Sequence, residues 1–388
     1  MGKTAGGSRE RTCDIVLKNT INTILYQASN DLRTEIRVGR DILSTLPGEK
    51  GFLKGHVIID ERVSQLHSAR VACVINRLNR QCRSMTFPAG ENTKTLAHAA
   101  AIFEKLLDSN ISKEDCVVAI GGGSITDLAA FSAQLLLRGV PLILIPTTLI
   151  AQVDAAIGGK NGLNVSGRKN RIGSFYFPQQ VICDTSFLDT LSSRHVRSGI
   201  AEIIKVFAVT DCRLLKALKS EKGKTVLDDN GKRDYLIARS IQAKVDLLND
   251  DPFERSQQRL LNFGHSFAHF FEEAGHFYLT HGEAVMLSML CEIRIAQLAG
   301  IGCSSAHGDL NNAIIDNLTP ACRKFRLPSR RMYDMVEDTR RLRGGHDHLV
   351  VISSTGYGTV VKDFDAALAA AAWEEVTADI SEEVARHV

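Results

Sequence analysis

The sequence predicts an N-terminal α/β domain built on a parallel sheet, followed by a mostly α-helical C-terminal domain. Two wholly apolar runs, CVVAIGGG and PLILIPTT, flank a helical segment, as strands buried on both faces of a parallel sheet do. From about Leu188 the strand signal fades and apolar spacing of helical period takes over. At 388 residues the chain is long enough for two cores. The division is placed at 1–187 and 188–388, with ligands expected in the cleft between.

Residues 1 to about 30 are polar and read as a loose arm leading to a first strand around Glu35 to Val38. GHVIID, ending at Asp60, is the next strong strand signal, and VACVINRL follows it near residue 71. TLAHAAAIFEKLLDSN, from Thr95 to Asn110, has a helical period and an Asn stop. CVVAIGGG then runs into glycines, and SITDLAAFSAQLLLRG reads as a helix with Ser124 as N-cap and Gly139 at its end. After PLILIPTT the helical half offers RHVRSGIAEIIKVFAV, DYLIARSIQAKVDLLN and two histidine-bearing segments. A short strand pair in HLVVISSTGYGTVV and an Ala-rich helix, FDAALAAAAWEEV, close the chain.

With 44% hydrophobic and 23% charged residues the composition is that of an ordinary soluble globular protein. Lys and Arg number 47 against 44 Asp and Glu, and the resulting +3 is too small to point to a nucleic-acid partner. Nine scattered cysteines, an odd number without a CxxC pair, argue against both a disulfide framework and a thiolate zinc site. MGKTAGGSRERTCD lacks an apolar run after its charges, and nowhere do about 18 uncharged apolar residues run together. The expectation is a cytoplasmic protein with no secretory signal and no membrane span.

The stretch from Arg259 to Val285 places His265, His269 and His281 in apolar surroundings. His265 and His269 are four apart in a helix-like run and so project from one face, while His281 opens a second helical segment. A lone buried histidine is usually a satisfied core residue, but three in one stretch leave many polar atoms to satisfy, which favours a metal. Glu202 and Lys205, three apart in AEIIK, can pair on a helix face, yet Ile200, Ile203, Ile204 and Val206 surround them. Charge in such surroundings needs a partner. Glu202 with two of the histidines makes a His2Glu set, three ligands and an open position, the catalytic pattern for zinc. Such a site polarises a substrate hydroxyl.

Gly121, Gly122 and Gly123 follow a strand and precede a helix, so backbone amides and the helix dipole can face a phosphate. A bare GGG also serves tight turns, but Asp127, Thr147 and Thr148 belong to the same sheet edge, where ligands of open parallel sheets gather. The spacing is not GxGxxG. A dinucleotide is still the leading candidate, with Glu91 and Lys94 of PAGENTKT available for a ribose or pyrophosphate. DAAIGGKNGLNVSGRKNRIG carries Asp154, Lys160, Lys169 and Asn170 in a glycine-rich, flexible segment suited to a phosphate or a phosphorylated sugar.

GGGSITDLAAF, LRGVPLILIPTTLIAQVDAAIGGKNGLN, RKNRIG, SGIAEIIK, LLNFGHSFAH and HGEAV stand in the order and spacing of the dehydroquinate synthase superfamily, the sugar phosphate cyclases. The chain resembles that family from about Gly90 to Val285. The resemblance implies an NAD-dependent enzyme with a divalent metal, zinc or cobalt, and a sugar phosphate substrate. It makes Glu202, His265 and His281 the metal ligands, and Asp60, Glu91, Lys94, Gly122, Gly123, Asp127, Thr147 and Thr148 the NAD contacts. Asp154, Lys160, Lys169, Asn170, Lys205, Lys244, Asn262 and His269 take substrate or catalytic positions. Arg138 matches an arginine that in the family reaches the phosphate site of the neighbouring subunit, which implies a homodimer. The implied reaction is oxidation, phosphate elimination, reduction, ring opening and intramolecular aldol closure to a carbocycle.

Two departures narrow the substrate. Dehydroquinate synthases carry an arginine four residues before the Asn of LLN; here that residue is Gln258, with Arg259 next to it. An amide cannot neutralise a carboxylate bidentately as a guanidinium does. The family's later lysine-rich DKK segment is replaced by EDTRRLRGG, where Arg340, Arg341 or Arg343 is the candidate substitute. KNRIGSF and TRRLRGG resemble the sedoheptulose 7-phosphate cyclases, although those usually show Asp and Pro where this chain keeps Asn262 and His269. The expected substrate is a seven-carbon sugar phosphate without a carboxylate, handled in secondary metabolism. The alternatives are 3-dehydroquinate synthase and, more distantly, a metal-dependent polyol dehydrogenase.

Overall fold

Apolar runs between residues 22 and 184 pair into one seven-stranded sheet in the computed structural model, which describes residues 21–29, 32–46, 54–78, 82–218, 226–255, 260–275, 278–301, 304–342, 348–352, 358–362 and 364–386. In chain order the strands are β1 (Asn22–Gln27), β2 (Arg33–Gly39), β3 (Gly55–Asp60), β4 (Arg83–Phe87), β5 (Cys116–Gly121), β6 (Leu142–Pro146), β7 (Lys160–Val165), β8 (Arg168–Phe175) and β9 (Gln180–Asp184). The sheet runs β1-β2-β9-β6-β5-β3-β4, and every pairing except β1 with β2 is parallel. β3, β5 and β6 are buried at every residue, as the continuous apolar runs predict.

Four details differ from expectation. The polar arm contains β1, whose Ile24 and Tyr26 point inward while their neighbours face solvent; an alternating edge strand has too low an average hydrophobicity to stand out. VACVINRL belongs to the helix Ser68–Arg77, with Val71 and Val74 inward. Gly122, not Ser124, caps the helix Gly123–Leu135, and the Ser124 hydroxyl donates instead to Glu91 Oε2 at 3.1 Å. The glycine-rich stretch is not a flexible loop: a short helical turn, Ala151–Ala155, leads into the antiparallel hairpin of β7 and β8.

Beyond β9 the helices Ser193–Thr210, Asn230–Asp250, Ala268–Ala274, His281–Leu298, Ser329–Leu342 and Ala366–Arg386 dominate, with a small antiparallel pair, β10 (His348–Ile352) and β11 (Gly358–Lys362). One cluster of buried side chains continues from Ile36 and Val38 in the sheet through Leu149 and Ile200 to Trp373 in the last helix, so the two halves share apolar packing. The helices Ser193–Thr210 and His281–Leu298 cross with backbone against backbone. A Cβ on Gly282 would lie 2.1 Å from the Ser198 carbonyl oxygen, and the Gly282 amide donates to Ser198 Oγ at 3.0 Å. Thr280 and Glu283 form a capping box at the start of the second of these helices. Among the described residues no helix is long and apolar enough to cross a membrane.

Candidate active site

That crossing brings Glu202, mid-helix and fully buried, to His281, the first residue of its helix. Glu202 Oε1 lies 3.3 Å from His281 Nε2 and 3.8 Å from His265 Nε2. One ligand atom from each of the three residues falls within 4.8 Å of the others. Both rings have their Nδ1 engaged elsewhere: His265 with the Phe263 carbonyl oxygen at 3.2 Å and His281 with Glu272 Oε1 at 3.0 Å. With Nδ1 carrying the proton, both Nε2 lone pairs face the common point. The Lys205 ammonium ion-pairs with Glu202 Oε2, which leaves Oε1 turned toward the two rings. A buried carboxylate with unused lone pairs between two imidazoles is the donor set of a three-ligand divalent-metal site with an open position.

His265 is not on a helix face shared with His269. It sits in a turn whose Gly264 has φ +77°, and the next helix begins only at Ala268. His269 is largely exposed, and its Nδ1 lies 3.5 Å from Glu272 Oε2. Burial and the Lys205 charge push His265 down to about 3, so its ring is neutral. Burial also opposes charge on His281, but Glu202 and Glu272 outweigh it and raise that ring to about 9, so its Nε2 lone pair becomes available to a cation only on release of a proton. For Glu202 the desolvation is outweighed by Lys205, which holds the carboxyl at about 2.

Glu292, fully buried one helix turn after Ser288, holds the His265 turn in place. Its carboxylate accepts from the amides of Gly264 at 2.7 Å and Ser266 at 3.0 Å and from Ser288 Oγ at 3.0 Å. Burial, working against these bonds, pushes Glu292 up to about 7. A carboxyl whose folded value lies above its unfolded one binds more protons when folded, so stability falls as pH rises from about 4.5 to about 7. Melting temperatures measured from pH 4 to pH 8 are expected to show this decline as stability that the wild type loses relative to Glu292→Gln. The decline should be smaller in Glu292→Gln, and equal slopes would count against the assignment.

A cavity of about 160 Å³ adjoins the triad, lined by Asp154, Lys160, Lys205, Lys244, Glu254, Asn262 and His265 among others. Lys244 Nζ donates to Asp154 Oδ1 at 2.7 Å and to the Asp154 carbonyl oxygen at 2.8 Å, and Lys205 Nζ lies 3.6 Å from the same carboxylate. Burial alone would raise the Asp154 carboxyl, but the two ammonium groups hold it well below its ordinary value. Lys160, half exposed at the rim, ion-pairs with Glu254. Of the hairpin only Lys160 lines this cavity; Lys169 Nζ lies instead 3.0 Å from Glu272 Oε2.

A second cavity, about 410 Å³, opens at the carboxyl ends of β3, β5 and β6, where Asp60, Gly122, Gly123, Thr147 and Thr148 all line it. No side chain caps Gly122, which leaves the first amides of its helix open to an anion. His67, Phe187 and His195 also line this cavity, and nothing in their local sequence marks them. Glu91, Lys94 and Asp127 do not line it. Lys94 Nζ donates to Asp127 Oδ2 at 2.6 Å and to Asn170 Oδ1 at 2.7 Å, and Asn164, which the sequence reading passed over, bonds Glu91 Oε1 at 2.9 Å. Burial pushes Asp127 up to about 6 against the Lys94 charge. The two cavities meet where a Cβ on Gly123 would lie 3.2 Å from Ala155 Cβ.

Arg138 lines neither cavity. It is exposed, with φ 65° between Leu137 at 51° and Gly139 at 118°, three successive left-handed residues. Arg340 is tied to Glu337 at 2.6 Å and to the Phe364 carbonyl oxygen at 2.6 Å, and Arg341 is exposed; neither lines either of these two cavities. Gln258, Arg259 and Arg343 lie outside the described residues.

The family model described as 3-dehydroquinate synthase N-terminal matches residues 84–198, and its C-terminal counterpart matches residues 199–340. The 3-dehydroquinate synthase of Chlamydia pneumoniae is 37% identical over 273 residues, 70% of each chain. That of Nitrosospira multiformis is 35% identical over 296 residues, 76% of this chain and 81% of the relative. Among solved structures, 2-epi-5-epi-valiolone synthase from Streptomyces hygroscopicus subsp. jinggangensis 5008, with NAD+ and Zn2+ bound, has a TM-score of 0.79 at 26% identity and covers 91% of this chain and 99% of its own. 2-Deoxy-scyllo-inosose synthase, complexed with carbaglucose-6-phosphate, NAD+ and Co2+, shares the fold with a TM-score of 0.74 at 23% identity, covering 92% of this chain and 99% of its own. With this fold, the two adjoining cavities and the Glu202, His265 and His281 set, the chain belongs to the dehydroquinate synthase superfamily.

Proposed function

We propose that this protein is an NAD- and divalent-metal-dependent sugar phosphate cyclase, a phosphate-eliminating lyase acting on a seven-carbon sugar phosphate of the sedoheptulose 7-phosphate type. The observation that carries the reading is the convergence of Glu202, His265 and His281 on one point, with His265 also lining a lysine-lined cavity that abuts the glycine-edged cavity at Gly123 and Ala155. When bound, the metal supplies Lewis acidity at a substrate hydroxyl and the nicotinamide a hydride acceptor. Glu202, His265 and His281 hold the first, and Asp60 with the Gly122 and Gly123 edge holds the second.

The other residues bind and orient. Lys244 and Lys205 keep Asp154 ionised, as an acceptor for a substrate hydroxyl. Lys160 and Lys169 supply cations for the phosphate, with Asn170 beside them and Asn262 and His269 on the substrate side. Arg138, exposed and unused in its own cavities, completes the phosphate site of a second copy in a homodimer. The chain divides functionally near residue 187, with NAD on the first part and metal on the second, and the substrate is contacted by side chains of both.

With Gln258 in place of arginine, and Arg340 engaged by Glu337 and the Phe364 carbonyl oxygen, no described residue lining the cavity supplies the guanidinium a substrate carboxylate calls for. This supports a carboxylate-free substrate and a role in cyclitol biosynthesis. A second reading, 3-dehydroquinate synthase, is favoured by the names of the curated relatives and by the retained Asn262 and His269. Phosphate release measured across a panel of sugar phosphates, with mass analysis of the products, separates them. Sedoheptulose 7-phosphate is expected to release one phosphate per turnover without net NADH. Preference for the carboxylated heptulosonate phosphate favours the second reading, and NADH accumulating in step with substrate means a polyol dehydrogenase. Gln258→Arg is expected to raise kcat/KM for the carboxylated substrate by roughly tenfold or more, the worth of a charge-assisted hydrogen bond.

A further inference from the structure

Glu272 belongs to none of the motifs that define the site, yet its carboxylate lies between the metal-site histidine and the cationic hairpin. It is 1% exposed, on the short helix Ala268–Ala274. Oε1 lies 3.0 Å from His281 Nδ1. Oε2 lies 3.0 Å from Lys169 Nζ on β8 and 3.5 Å from His269 Nδ1. One buried anion thus has one oxygen on a ring whose other nitrogen faces Glu202 and the other oxygen on a lysine that enters from the sheet half of the molecule.

Each half of this contact has a separate consequence. On the His281 side, accepting from Nδ1 fixes the tautomer with the Nε2 lone pair toward Glu202 and makes the ring a stronger donor to a cation. On the Lys169 side, the carboxylate offsets an ammonium that would otherwise repel a cation bound at the triad, and it fixes where the head group of a mobile four-carbon stem sits. Removing Glu272 therefore loosens two things at once, ring orientation at the metal and placement of the hairpin lysine.

We propose that Glu272 is a positioning residue that couples the metal triad to the β7–β8 hairpin, so that Lys169 of the hairpin is held by the same carboxylate that orients His281. The inference rests on the functional reading above only for the role of Lys169; the metal half stands on the geometry alone.

The test uses the full chain, stripped of metal and titrated with zinc against a chromophoric chelator, followed by kinetics on the turned-over sugar phosphate at saturating zinc. Wild type, Glu272→Gln, Lys169→Met and the double variant are compared. Glu272→Gln is expected to weaken zinc binding by roughly 10- to 100-fold, the usual effect of losing a carboxylate behind a ligating histidine. At saturating zinc it is expected to raise KM as Lys169→Met does, with the double variant no worse than the poorer single one. Zinc affinity unchanged in Glu272→Gln, with the wild-type circular dichroism retained, overturns the proposal, as do KM effects that multiply in the double variant. If Glu272→Gln does not fold, Glu272→Asp takes its place: it keeps the charge, shortens the reach and is expected to show the same two defects in weaker form. A wild type that binds zinc yet turns over no sugar phosphate defeats the functional reading, and the zinc comparison alone then decides this one.

Discussion

Replacing His265 with alanine is expected to abolish stoichiometric zinc binding and to cut turnover on the order of 10³-fold, the several kcal/mol a Lewis-acid centre contributes to a charged transition state. The substitution removes one of three ligands from a set whose other two members, Glu202 and His281, cannot close the coordination alone. It should leave the fold intact, because His265 lies in a turn held through Gly264 and Ser266 by Glu292, not through its own ring. Elemental analysis of the purified variant checks the first outcome and phosphate release the second. Metal content equal to that of the wild type would refute the ligand assignment.

The second large effect is expected at a residue without a side chain. Gly282→Ala places a methyl 2.1 Å from the Ser198 carbonyl oxygen, far inside van der Waals contact, so the two helices must separate. Alanine favours a helix over glycine by about 1 kcal/mol, but overpacking at a fixed crossing costs about 1–3 kcal/mol or more, and here the second term wins. Because Glu202 and His281 sit on the two separating helices, zinc affinity should fall along with stability. Gly308→Ala is the control: nothing lies within 4 Å of its Cβ position, and it is expected to be neutral or slightly stabilising. Urea unfolding and zinc titration of both variants check the pair, and a Gly282→Ala protein matching wild type in both would remove the crossing from the account.

What the sequence disclosed depended on whether a local pattern decided the local structure. β3, β5 and β6 were legible because strands buried on both faces leave unbroken apolar runs. β1 was not, since its inward residues are only Ile24 and Tyr26 among polar neighbours. The apolar period running through NFGHSFAHFF suggested one helix, and Gly264 was the signal against it: its left-handed φ, with Met289 Cγ 2.6 Å from its Cβ position, ends any continuation. Glu202 stood out as a charge among isoleucines. Glu272 and Glu292 are equally buried, but Lys169 for Glu272, and the Gly264 and Ser266 amides for Glu292, are partners distant in sequence, which no local window contains. The same holds for Asn164, whose bond to Glu91 links the hairpin to a segment preceding β5.

The triad is assembled from a helix, a turn and the start of another helix, with Glu202 far along the chain from the two histidines. An unfolded chain presents no such constellation, so any cation the triad takes is a ligand of the native state alone. By mass action, free ion at 100 times its dissociation constant adds about 2.7 kcal/mol to the unfolding free energy. The melting temperature is therefore a gauge of metal supply. A chelator lowers it, added metal restores it, and an unloaded chain is correspondingly the more exposed to proteolysis.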